Sequence, residues 1–276
     1  MHLTLALILL LLGISPAQSR SIKTSLKESP EETDNNTEEE YLSVSDLIER
    51  ANKNIEESQD GLTIKFGDIV VEDGLQNADK CTSGQPGCKW PREKDKKVYV
   101  PYQISNHYGL SEKRIIKDAL RSFEKPTCIR FIPRTQQKDY LQIMSDRGCY
   151  SYVGRIGGEQ ILSLQRDGCI YKHVIQHELL HALGFHHEQC RSDRDKHIKI
   201  LKENILPGME YSFDKHNTNN LGTPYDYGSV MHYGRYAFSK NGQPTMIPIP
   251  NPNVKIGLST EMNANDILRV NKLYCK

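Results

Sequence analysis

A chain of 276 residues, 37% of them hydrophobic, has room for one substantial folded domain plus accessory segments. Its 36 Lys and Arg against 35 Asp and Glu leave a net charge of +1, which gives no ground for a nucleic-acid or membrane partner. That near-neutrality hides a division: residues 20–76 hold 6 basic and 15 acidic side chains, a balance of −9, and residues 77–276 hold the other 30 and 20, a balance of +10. An acidic segment precedes a basic one, and the two could attract each other.

In chain order, residues 3–14 form an apolar run too short to span a bilayer comfortably, with the small residues Ala17-Gln18-Ser19 behind it. Residues 1–19 read as a signal peptide, although no Lys or Arg precedes the run; the expected destination is secreted, with secretory granules as one route. Seven cysteines, from Cys81 to Cys275, fit an oxidising compartment. The stretch from Lys27 to Glu40 is too polar to fold alone and carries the glycosylation sequon Asn35-Asn36-Thr37. Val44 to Ala51 reads as a short helix, with Ser45 or Asp46 at its start. Val98–Tyr102 reads as a strand that Pro101 favours at a sheet edge, and a helix follows over Ser111–Glu124. Strands are expected at Cys128–Ile132, Tyr140–Met144 and Gln160–Leu164, then a helix from Tyr171 to Leu183 and a last one over Asn263–Tyr274. Regular elements in the first half and irregular chain in the second give an α+β domain in two lobes.

The helix of Tyr171–Leu183 carries the chemistry. His177 and His181 stand four residues apart, about 400° of helical turn, so both imidazoles leave one face and a tetrahedral Zn²⁺ can take both. Glu178, about 100° round from His177, can reach a water at the metal without being a ligand. Gly184 tolerates the left-handed conformation that turns the chain back, so His187 can return as a third ligand. The full spacing, HExxHxxGxxH, is far more specific than a bare HExxH. His173, four residues before His177, reads as a partly exposed residue, and His107, His197 and His216 as surface residues.

The segment His177–Asp195, HELLHALGFHHEQCRSDRD, resembles the signature of the astacin family within the metzincin peptidases. Ser229-Val230-Met231-His232-Tyr233 resembles that family's Met-turn. The resemblance runs from about Val44 to Lys276 and is strongest to the hatching-enzyme subgroup, the choriolysins. It implies a two-lobed, zincin-like catalytic domain over residues 77–276. It further implies a zinc metalloendopeptidase with one Zn²⁺ per subunit, held by His177, His181 and His187. Tyr233 would be a detachable fifth ligand and an oxyanion donor, Met231 an apolar floor beneath the histidines, and Glu178 the catalytic base. Phe66-Gly67-Asp68 resembles the family's zymogen motif, although the aromatic directly precedes Gly67. Residues 20–76 would then be a propeptide whose Asp68 ligates zinc until an activating protease cuts near Gln76-Asn77.

From the same resemblance come the disulfides Cys81–Cys88, Cys128–Cys275 and Cys149–Cys169, which leave Cys190 as a buried inert thiol. The family's contact between a glutamate in Glu188's position and the mature N-terminal amine stays open here, given the added residues around Cys81 and Cys88. Asp193, Arg194 and Asp195 read as a structural ion network. The implied enzyme is a secreted monomer whose substrates are proteins, egg-envelope glycoproteins at hatching. The alternatives are a secreted relative acting on other proteins of tissue or immune fluid, and a non-enzymatic zinc-dependent binding protein.

Overall fold

The computed structural model describes residues 42–53, 55, 61–71 and 88–276. The expected signal peptide, Asn35, the Gln76-Asn77 boundary and Cys81, hence the Cys81–Cys88 pairing, lie outside the described residues.

Helix α1 (Val44–Ala51) opens on a capping box: Ser43 Oγ accepts from Asp46 N, and the Asp46 carboxylate accepts from Ser43. The cap is thus earlier than Ser45 or Asp46, because the Ser45 hydroxyl is engaged elsewhere, accepting from Gly234 N at 2.8 Å. Val44, Leu47 and Ile48, spaced for one helical face, are buried in the main core. Strands β1 (Thr63–Lys65) and β2 (Ile69–Val71) form an antiparallel hairpin. After them come β3 (Val98–Ile104), α2 (Leu110–Arg121), β4 (Ile129–Pro133), β5 (Tyr140–Met144), β6 (Cys149–Ser151) and β7 (Glu159–Leu164).

These strands make one seven-stranded sheet of order β1-β2-β6-β7-β5-β3-β4. The β6–β7 pair is antiparallel, β3 runs parallel to both β4 and β5, and β2 joins β6 in parallel at Ile69 and Ser151. Strand β3 is therefore interior, contrary to the edge placement that Pro101 suggests. The β5 ladder begins only at Tyr102, so Pro101 lies just before it, where its missing N–H removes no ladder bond to β5. Helix α2 and the zinc-motif helix α3 (Lys172–Ala182) pack on this sheet, with Ile116, Phe123, Val174, Ile175 and Leu179 fully buried.

Beyond α3 the chain is largely loop, with a small antiparallel pair, β8 (Ile198–Ile200) and β9 (Met246–Pro248), and a final helix α4 (Ala264–Val270) that continues as a π turn. This half has its own core of Ile198, Ile205, Phe213, Tyr225, Met246 and Ile256. The sheet-side core and this second one make the α+β, two-lobed fold expected, with the site between them, and a smaller cluster of Ile55, Ile64, Val70, Tyr150 and Tyr152 packs under the β1–β2 hairpin. Disulfides join Cys128 to Cys275 and Cys149 to Cys169. Among the described residues, no helix is long and apolar enough to cross a membrane.

Candidate metal centre

Helix α3 is buried along its whole length from His173 to Ala182, so its polar residues have displaced core side chains. It ends at Gly184, whose φ of 98° lets Phe185 N bond back to Leu180 O at 3.0 Å. That reversal returns His187 to the first two histidines. The three Nε2 atoms converge, with separations of 3.0 Å (His177–His181), 3.2 Å (His181–His187) and 3.3 Å (His187–His177).

The tautomers are set from behind. His177 Nδ1 lies 2.8 Å from Val230 O and His181 Nδ1 lies 2.7 Å from Phe185 O, so each Nδ1 carries a donated proton and each Nε2 presents a lone pair. Burial drives His181 down and pushes His187 to about 3, against the raising effect of Asp68, which favours the neutral rings that ligate a metal. Lone pairs converging at this range repel unless a cation lies between them. Tetrahedral Zn²⁺ with Zn–N of about 2.0–2.1 Å places its nitrogens roughly 3.3 Å apart, so these residues fit the ion.

The fourth member is Asp68, fully buried, from the loop joining β1 to β2. Its carboxylate reaches all three rings: Oδ2 lies 3.0 Å from His177 Nε2, and Oδ1 lies 3.3 Å from His181 and 3.0 Å from His187 Nε2. Burial would raise this carboxyl, but its approach to His187 and His181 and its contacts with His177 and His181 hold it well below the usual range. Tyr233 Oη donates to Asp68 Oδ2 at 2.9 Å and lies 3.3 Å from Phe66 O. Ser151 N donates to Asp68 O at 3.0 Å, fixing the backbone that presents the carboxylate.

Gly67 passes so close to Tyr233 that a Cβ there would overlap Tyr233 Oη, and its φ is 95°. Only glycine fits. Phe66 beside it has φ 56°, a left-handed conformation costing a residue with a Cβ about 1–2 kcal/mol.

Glu178 is buried beside this cluster, and neither carboxyl oxygen has a hydrogen-bond partner among the described residues. Burial, with the Asp68 charge adding to it, raises it well above its ordinary value. A buried carboxyl with nothing to satisfy it marks chemistry rather than packing. Met231 is buried in the main core, in the turn whose Val230 O holds His177.

Three supports of the site left no trace in the sequence reading. Asp266 holds that turn by accepting from Ser229 Oγ (2.6 Å) and Val230 N (3.1 Å). Gln189 Oε1 accepts from Tyr233 N at 3.1 Å. Asn52 bonds both Cys149 and Gly67 O.

Other expectations are revised. His173 is buried, not partly exposed, because α3 is covered on every side, and burial lowers its pKa. His107 is exposed, but His197 and His216 are half-buried, stacked in aromatic clusters with Tyr225 and with His186. Glu188 spends its oxygens on Arg269 (2.5 and 2.8 Å), Arg191 (3.2 Å) and Asp226 N (2.7 Å). Arg191 also pairs with Asp193, and Asp195 bridges Arg194 and Lys215, so the three residues expected in one ion network divide between two clusters. Cys190 is buried, its thiol directed at Ser212 O.

Residues 85–275 match the family model described as Astacin, a peptidase family. The low choriolytic enzyme of Oryzias latipes is 47% identical over 269 residues, spanning 97% of this chain and 96% of that protein. High choriolytic enzyme 1 of the same fish is 46% identical over 237 residues, 86% of this chain and 85% of its own. The solved structure of high choriolytic enzyme 1, described as a hatching enzyme zinc-protease from medaka, superposes with a TM-score of 0.67 at 52% identity, covering 68% of this chain and 96% of that one. The matched span contains the converging histidines, the unpartnered carboxyl and the tyrosine turn, and the chain belongs to the astacin family of zinc metalloendopeptidases.

Proposed function

We propose that this chain is a secreted zymogen whose mature peptidase, residues 77–276, cuts extracellular proteins, egg-envelope glycoproteins at hatching, and that residues 20–76 keep it silent. The observation that carries this is the Asp68 carboxylate resting on all three histidine Nε2 atoms, where a water must sit for hydrolysis. The hatching role draws on the choriolytic relatives that align along nearly the whole chain. Residues 1–19 act as the secretion signal, and an activating protease cuts near Gln76-Asn77. The mature enzyme works as a monomer, with Cys81–Cys88 as its third disulfide.

His177, His181 and His187 hold the zinc, with Tyr233 as its detachable ligand and Met231 in the turn beneath. Zinc bound there supplies a Lewis acid that acidifies water and polarises a carbonyl. Glu178, both oxygens unpartnered, takes the proton from the attacking water and hands it to the departing amine. Tyr233 Oη, which donates to Asp68 in the latent chain, turns its hydrogen bond to the substrate carbonyl oxygen as charge grows there. The Nδ1 bonds to Val230 O and Phe185 O keep His177 and His181 from swinging as the site empties and refills.

The experiment is hydrolysis of a generic peptide and of isolated egg envelope by the proteolytically activated chain. A chelator should abolish both, and Glu178→Gln should keep zinc while losing about 10²–10⁴-fold in rate. Parental rates in Glu178→Gln would remove that residue from the mechanism. Cleavage of the peptide without the envelope would redirect the enzyme to another extracellular protein.

A further inference from the structure

Phe66 stands two residues before Asp68, so even a fully extended chain keeps it within about 7 Å of the residue at the metal centre. Its ring packs between two rings of the second lobe, whose spacing forms a cleft around it. There it meets Tyr211 edge-on, with centroids 5.7 Å apart at 84°, and His216 at 4.9 Å and 68°. His216 in turn stacks on His186, 4.3 Å away at 23°, next in sequence to the third histidine of the centre.

The walls of this cleft are fixed by the peptidase domain's own backbone. His216 N donates to Cys190 O at 2.8 Å, and Asp214 N donates to Tyr211 O at 3.0 Å. Neither bond involves residues 61–71, so the backbone that carries both rings is held independently of that segment. Phe66 meanwhile is held in a left-handed conformation, φ 56°, its carbonyl 3.3 Å from Tyr233 Oη. Such strain persists only where the surroundings grip the residue, and here the grip is on the ring.

We propose that the cleft between Tyr211 and His216 is a substrate subsite for an aromatic side chain within two residues of the bond cut, with Phe66 its internal stand-in. This rests on the peptidase reading and on residues 61–71 lying where substrate lies. Edge-on contacts with two rings suit the positive rim and negative face of a Phe or Tyr. An acidic side chain is disfavoured, because the neighbouring cation, Lys215, is committed to Asp195 at 2.6 Å. The subsite would steer the enzyme to aromatic positions in its protein substrates.

The test uses the full chain, zinc-loaded and activated by limited proteolysis, on a mixed peptide library with the cut sites mapped. Phe and Tyr should be enriched at one position within two residues of the cut. Matched peptides carrying Phe or Ala there should differ about tenfold in kcat/KM. Tyr211→Ala and His216→Ala should bring that ratio toward parity, and Tyr211→Phe, which keeps the ring, should preserve it. A flat profile, an acidic preference, or an aromatic preference that survives both alanine variants overturns the subsite and leaves the peptidase reading intact. No cleavage at all by the zinc-loaded, activated chain overturns both.

Discussion

Asn52 joins parts of the chain that are far apart in sequence. Its amide nitrogen donates to Gly67 O at 2.7 Å and to Cys149 O at 2.6 Å, and its oxygen accepts from Cys149 N at 2.7 Å. One side chain therefore pairs with a strand backbone as a neighbouring strand would, and ties down the turn that delivers Asp68. Removing it strands buried backbone groups, each costing about 1–3 kcal/mol. Asn52→Ala and Gly67→Ala should therefore both raise peptide hydrolysis by the uncut chain, the second through its clash with Tyr233. Full latency in both would mean that the turn is held by other contacts. His177, Glu178, His181, Gly184 and His187 were legible from the sequence because their function dictates a spacing along one helix. Asn52 was not, since a bond between a side chain and a backbone 97 residues away leaves no periodicity to read.

At the scale of elements, local pattern served where local physics decides. Strand β5 runs from Tyr140 to Met144 as expected, because its apolar run is bounded by polar turns. Pro101 misled because a sheet tolerates a proline just short of a ladder as readily as at an edge. The joining of β2 to β6 had no sequence signal either: it is a parallel contact between short strands.

The disulfides offer a test at this scale. Cys128–Cys275 closes a separation of 147 residues and Cys149–Cys169 one of 20, so chain-entropy reasoning assigns them about 5 and about 3 kcal/mol. Replacing the first pair by serine should lower the unfolding midpoint of the uncut chain more than replacing the second. The reverse order would show that local packing at β6 outweighs loop closure.

Across the whole molecule, α1 packs its apolar face into the main core while the Ser45 hydroxyl accepts from Gly234 N, next in sequence to Tyr233. Helix α1 carries a titrating group. Burial, with Asp46 adding to it, pushes Glu49 up to about 7, against lowering hydrogen bonds from Ser45 and Phe238. A raised carboxyl binds its proton more tightly docked than free. Its contribution to docking is therefore complete below about pH 4.5 and is lost as pH rises through about 7. His173, lowered by burial and facing the Leu42 carbonyl, has the opposite sign below its ordinary value of 6.5, so the Glu49 effect is read as the difference between the parental chain and Glu49→Gln. Protease susceptibility of the helix α1 segment should rise more between about pH 4.5 and 7 in the parental chain than in Glu49→Gln. Equal slopes would place the titration elsewhere.

On the proposed function, Asp68 occupies the position at the zinc that hydrolysis needs. The direct measurement is peptide hydrolysis by purified, uncut Asp68→Ala with its zinc content determined alongside, compared with the uncut and activated parental chain. The expected result is one zinc per chain and activity approaching that of the activated enzyme, against near silence in the uncut parent. An uncut Asp68→Ala chain that holds its zinc yet stays as silent as the parent would contradict it.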